Sequence, residues 1–215
     1  MMGLNKLLWA FIFIPLVVGL IQFKKLTISH RFLYGFIILG AISEITNKTI
    51  KEFIVIKNNM PLGHLYISIS FIFLALFYMH ELKGLINKKI ILAIIILFEL
   101  FCLTNVILFQ SYLSYPSVPG ALSALILVTF AVFLFASILR EGKIKKLSDS
   151  SLIWINSAVL LYFSGNFFFY TLYNFILNYS SEFLFRVLDF FRILNAVFYI
   201  LIAIGLWKAG QQKQT

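Results

Sequence analysis

Much of what this chain can be is settled by what it has little of. There is one cysteine, Cys102, inside an apolar run, so an intrachain disulfide and a thiolate metal cluster are both excluded. Only 8 of its 215 residues are acidic and 12% are charged, about half the usual share. Four prolines are present, and Pro15 alone lies well within an apolar run, where a kink is expected. The motifs that mark common chemistries are missing as well. There is no His-Glu-x-x-His and no Gly-x-Ser-x-Gly, and no Cys/His group has metal-ligand spacing. No lysine falls inside the seventh apolar run to carry a Schiff base. No catalytic residue, metal ligand or cofactor is assigned.

What is abundant is hydrophobicity, at 61% of residues. Disordered chains are poor in apolar residues, and a soluble fold would expose long uncharged stretches. A bilayer crossing takes about 20 mostly apolar residues. Seven such runs are present: Leu7–Phe23, Phe32–Asn47, Leu62–Met79, Ile90–Phe109, Val118–Leu139, Leu152–Leu177 and Phe183–Trp207. Each must satisfy its own backbone in hydrocarbon, which makes each a helix. Runs such as Ile90–Phe98 do not alternate as barrel strands do. The first run ends in Lys24-Lys25 rather than a cleavage site and reads as a retained span. The second is short, and the amphipathic stretch Lys48–Ile56 is expected to extend it. The fold class is an all-α integral membrane protein, one seven-helix domain over 1–215 without a soluble domain.

Basic residues sit mainly in the loops, where topology and anionic headgroups account for them better than nucleic acid does. Twelve Lys and Arg fall on the side holding loops one, three and five and the C-terminal tail. Four fall opposite, at Lys6, Lys48, Lys51 and Lys57. The bias places the N-terminus outside and the C-terminus in the cytoplasm of a plasma (inner) membrane. The loop Arg140–Asp149 reads as solvated, with anionic lipid or a cytoplasmic partner as the alternative.

Polar groups inside the spans carry the functional information, because a charge at mid-membrane costs roughly 2.5–3.5 kcal/mol. In the seventh run Asp189, Arg192, Asn195 and Tyr199 fall within an arc of roughly 120° at about 100° per residue. Asp189 and Arg192 can pair at i,i+3. Glu44 or Glu99 with Arg192, and Asp189 with Arg186, are other compensating pairs. In the sixth run Asn156, Tyr162, Asn166, Tyr170, Tyr173 and Asn174 make a second stripe. Glu44 and Asn47, His64 and Tyr66, and Glu99, Thr104 and Asn105 are the remaining marks. With the orientation above, most of these lie toward the outer leaflet. The pattern predicts an outward polar cavity closed by an apolar inner half. Its expected ligand-binding residues are Glu44, Glu99, Asn166, Tyr170, Asp189, Arg192 and Asn195. Helix-to-helix hydrogen bonding is the competing role for the asparagines and tyrosines.

Leu152–Asn174, with Ile193–Lys208, resembles the membrane portion of certain seven-span bacterial sensor histidine kinases, over about the last 60 residues. The resemblance implies an integral sensor. The chain stops at Lys208–Thr215 without a phosphoacceptor histidine or ATP-binding region. The expectation is therefore a stand-alone sensor module, or one that signals through a partner such as a kinase in trans. Its ligand is a small or lipid-like molecule, and membrane lipid is its other partner. A small-solute transporter or channel is the second reading, although the inner halves lack a polar exit path. An intramembrane lipid-modifying enzyme, with Glu99 and Asp189 as acid and base, is the third.

Overall fold

The structure is a computed structural model that describes residues 8–53, 58–141 and 147–212. Among the described residues there are seven helices long and apolar enough to cross a membrane, and no strand. Helix α1 is Phe13–Gln22, flanked by 3-10 turns Leu8–Ile12 and Phe23–Lys25. The others are α2 Ile28–Phe53, α3 Met60–Glu81, α4 Lys88–Thr104, α5 Ser117–Glu141, α6 Ser151–Tyr179 and α7 Ser181–Gln212. A π turn, Asn105–Phe109, continues α4.

Local chemistry explains the boundaries. Pro15 has no N–H to offer the Phe11 carbonyl, and the winding changes there from 3-10 to α. Pro61 lies in the first turn of α3, where the missing donor costs nothing. Asn87 caps α4 by accepting the Lys89 backbone N–H at 3.0 Å. The tight turn between α3 and α4 uses Gly84 at φ +99°, a conformation that disfavours any side chain. Helix α2 is longer than its apolar run at both ends. Its amphipathic extension is helical to Phe53, and residues 54–57 lie outside the described residues. So do Lys6, Lys57, Lys143, Lys145, Lys146 and Lys213, which enter the charge count.

Six helices close a ring. Helix α1 packs on α2 and α7, α2 on α3, α3 on α5, α5 on α6, and α6 on α7. Helix α4 stands outside, leaning mainly on α3, with Ile107, Leu108 and Phe109 on the exposed surface. Lipid tails are as apolar as leucine, so the ring is held by close packing and interior hydrogen bonds rather than by burial from water. The fully buried Asn156 of α6 is the main interior tie. Its Nδ2 donates to the Ala131 carbonyl of α5 at 2.8 Å, and its Oδ1 accepts from the Tyr78 hydroxyl of α3 at 2.8 Å. This asparagine is a helix-to-helix fastener.

Candidate functional site

On one side of Asn156 the interior becomes polar. Glu44 of α2 lies within electrostatic reach of Tyr66 of α3, Tyr162 of α6 and Tyr199 of α7. Gly40, one turn before Glu44, borders this meeting, and its nearest neighbour is Ile12, 3.0 Å from where a Cβ would stand. A Cβ there would lie 3.8 Å from both the Tyr66 and the Tyr199 hydroxyls. Asn195 lies beside Tyr199 on α7, and Asn166 lies beside Tyr162 on α6, donating to the Tyr162 carbonyl at 2.8 Å. Spacings of four residues put each of these pairs on one helix face. Four helices thus contribute a carboxyl, three phenols and two amides to one interior region.

Next to this region is a cavity of about 180 Å³, lined by Asn47, Asn59, Met60, Gly63, Tyr66, Ile67, Tyr115, Pro116 and Tyr170. Tyr66 belongs to both, and Tyr170 links them by acting electrostatically on Tyr66 and Tyr162. The Tyr170 ring lies against Gly120 of α5, where an added Cβ would be 2.5 Å from its nearest atoms. At the rim Asn59 Nδ2 donates to Asn47 Oδ1 at 2.8 Å, which fixes the start of α3 to α2.

The segment 110–116, between the π turn and α5, covers the cavity. Tyr115 stacks on Tyr173 at 4.0 Å and on Tyr170 at 5.7 Å between ring centroids. Burial, and then the neighbouring Tyr170, push the Tyr115 phenol above its ordinary value, so it is neutral and can donate. Asn58 Nδ2 donates to the Leu113 carbonyl at 2.7 Å. His64 Nε2 bonds the Ser114 carbonyl at 3.0 Å. Gln110 Nε2 donates to the Tyr115 carbonyl at 2.5 Å. The cover is held by the Tyr115 ring packed on α6 and by side-chain bonds to its carbonyls.

The residues expected to form one site divide into three groups. Glu44, Asn166, Tyr170 and Asn195 come together, joined by Tyr66, Tyr162 and Tyr199. Glu99 lies elsewhere, on the seam between α4 and α3. There Ser68 Oγ donates to its Oε2, while its Oε1 is buried without a hydrogen-bond partner. Asp189 and Arg192 pair with each other at 2.5 Å, with side chains 43% and 52% exposed. Arg186 pairs with Glu182 at 2.6 Å rather than with Asp189. The described contacts give Arg192 no acidic partner on another helix. The Asn174 side chain lies outside the described ones.

Helix α7 explains the exposed pairs. Its 32 residues extend about 48 Å at 1.5 Å per residue, against roughly 30 Å of hydrocarbon. Asp189 is about 28 Å along the helix from Lys208, near the far interface, where water and headgroups can solvate an ion pair.

The opposite end of the bundle holds a polar network that the apolar inner halves do not announce. His30 is buried, with Nδ1 at 2.6 Å from Thr27 Oγ1 and Nε2 at 3.2 Å from Ser151 Oγ. Ser151 Oγ donates to Gln212 Oε1 at 3.0 Å, and Gln212 Nε2 donates to the Asp149 carbonyl at 2.9 Å. Lys208 lies 3.4 Å from the Asp149 carboxylate. The network ties the end of α7 to the starts of α2 and α6. The signal for it in the sequence is the cluster Thr27, Ser29, His30 ahead of an apolar run, which reads equally well as a loop. No group of three or more His, Cys, Asp or Glu among the described residues is placed to hold a metal ion. The chain matches no protein-family model, and it has no significant match among curated proteins or solved structures.

Proposed function

We propose that this chain is a membrane-embedded, receptor-like sensor that binds a small molecule in the covered cavity and passes the binding event along α6 and α7. The observation that carries the reading is the continuity from the loop 110–116, through Tyr115 and Tyr170, to the interior group around Glu44. A ligand in the cavity touches Tyr115, which stacks on α6, and Tyr170, which belongs to α6. Helix α6 packs along α7, and both helices reach the His30 network at the other end. A binding event thus has a physical route to that end, provided the bundle has two packings of different ligand affinity. The topology that fits is N-terminus outside and C-terminus cytoplasmic in a plasma membrane. A kinase recruited in trans would then read the segment around Asp149 and the end of α7.

Two single cysteines in a Cys102→Ser background test this, Ser114→Cys on the cover and Ser148→Cys at the far end. The purified protein in lipid nanodiscs is exposed in turn to choline, acetate and neopentyl alcohol. A bound probe should slow maleimide labelling at position 114 and alter its rate at position 148. A probe that protects position 114 and leaves position 148 unchanged shows binding without transmission and removes the sensor reading. Probe flux into sealed vesicles that is lost in Glu44→Gln would establish the transporter reading instead.

A further inference from the structure

The covered cavity has a neighbour. A groove of about 120 Å³ runs between α2 and α3, walled by Leu39, Ile42 and Thr46 on one side and Leu62, Leu65 and Ile69 on the other. Tyr66 lines both spaces. Asn47 of the cavity donates through Nδ2 to Oγ of Ser43, a groove residue, at 3.4 Å. The two spaces are therefore adjacent, with the Tyr66 side chain as their common wall. The groove opens to the side, because Ile42, Leu65 and Ile69 are exposed. On helices that cross a membrane, that side is the one lipid tails reach. Along α2 the groove runs from Thr46 back to Leu39, about 10 Å at 1.5 Å per residue. That direction leads from the end of the span, where Asn47 and Asn59 pair, toward its middle. A polar chamber at the end of a span, continued by an apolar trough toward the middle, repeats the order of head and tail in a bilayer lipid. Size limits each part. A cavity of about 150 Å³ holds one benzene, so 180 Å³ takes a head of roughly that bulk and 120 Å³ a segment of one tail. The amides and phenols of the cavity both give and take hydrogen bonds, as a hydroxyl does.

Resting on the receptor reading above, we infer that the ligand is a single-chain amphiphile taken from the bilayer, with a hydroxyl-bearing head in the cavity and its tail in the groove between α2 and α3. It enters from the membrane past Tyr66, so the loop 110–116 stays in place as the roof over the head.

The full chain carrying Ser114→Cys and Cys102→Ser, in phosphatidylglycerol nanodiscs, is titrated with 1-decanol, with decane and with neopentyl alcohol. Maleimide labelling at position 114 reads occupation of the cavity. Decanol should protect saturably, at a concentration at least tenfold lower than neopentyl alcohol, and decane should not protect. A decanol analogue with a diazirine at its chain end should photolabel Leu39, Ile42, Leu65 or Ile69, and unlabelled decanol should compete. Thr46→Phe, which fills the groove, should weaken protection by decanol at least tenfold and leave protection by neopentyl alcohol unchanged. The comparison of the three probes needs no change in the groove, so a Thr46→Phe chain that fails to fold leaves the test intact. Protection by decane equal to that by decanol overturns the inference. So does protection by decanol no stronger than by neopentyl alcohol, or photolabelling spread without competition over the lipid-facing helices, which is ordinary lipid contact. In each of these cases protection by neopentyl alcohol keeps the receptor reading standing. No protection at position 114 by any probe overturns both.

Discussion

Replacing Gly120 with alanine probes the wall of the cavity most directly. The added Cβ would meet three atoms of the Tyr170 ring at 2.5, 2.5 and 2.7 Å. Ordinary contact begins near 3.4 Å, so the ring has to shift by roughly 1 Å. It is held between Tyr115 at 5.7 Å and Phe169 at 6.2 Å, measured between centroids. Forced rearrangement of packed side chains costs typically 1–3 kcal/mol. Alanine is the better helix former by about 1 kcal/mol, which offsets part of this. The net expectation for Gly120→Ala alone is a loss of about 1 kcal/mol, read by reversible unfolding in mixed micelles. In a Tyr170→Ala background the ring is gone and only the propensity gain remains. There the same substitution should be neutral or stabilising. The reversal of sign is the diagnostic. An equal cost in both backgrounds would show that the Cβ meets something other than Tyr170, and the cavity wall described above would be wrong.

Three further outcomes follow from the hydrogen bonds and ion pairs. Asn156→Leu leaves the Tyr78 hydroxyl buried without its acceptor and should destabilise the bundle by about 1–2 kcal/mol. Adding Tyr78→Phe should recover part of that loss in the same unfolding assay. Arg192→Leu should leave probe binding and labelling at Ser114→Cys unchanged, because the Asp189–Arg192 pair is half-exposed and outside the cavity. A double-mutant cycle on the pair should give no more than about 0.5 kcal/mol. His30→Ala should speed amide hydrogen exchange in the first turn of α6 and the last turn of α7, while amides near Tyr66 and Tyr170 keep their protection. Loss of protection throughout would show that the network supports the whole bundle rather than its end.

The seven crossings were legible because hydropathy over about 20 residues needs no tertiary information. The stripe on α6 was legible too. Spacings of four residues between Tyr162, Asn166 and Tyr170 fix one helix face wherever the neighbours lie. The assignment of Arg192 failed to follow from the same arithmetic. Arg192 and Tyr199 share a face within about 20°, yet Tyr199 is 4% exposed and the Arg192 side chain 52%. A face computed along one helix does not say which neighbours meet it: at this level α7 meets α6 through Phe191, 4.6 Å from Phe169 between centroids, and Arg192 lies about 100° further round. Glu99 poses a different difficulty. Periodicity cannot say whether a helix joins the ring or stands outside it, and α4 stands outside. His30 was hidden by its position. A polar cluster next to Arg31 looks like the edge of a loop, and only the arrival of Ser151 and Gln212 from distant segments makes it interior.

The closure of the ring between α1 and α7 has a consequence for how the molecule is made. Outside its own end turns and the neighbouring α2, the main neighbour of α1 is the last helix in chain order. Gln22 of α1, 6% exposed in the finished bundle, lies against the backbone at Gly210. During synthesis that amide has to wait at the membrane interface while five further helices and then α7 are inserted, and contacts between distant segments are slow to form. The first helix of the seven is thus held by the seventh. Assembly of this bundle is gated by its final crossing, and a chain interrupted before α7 would leave α1 without its principal partner.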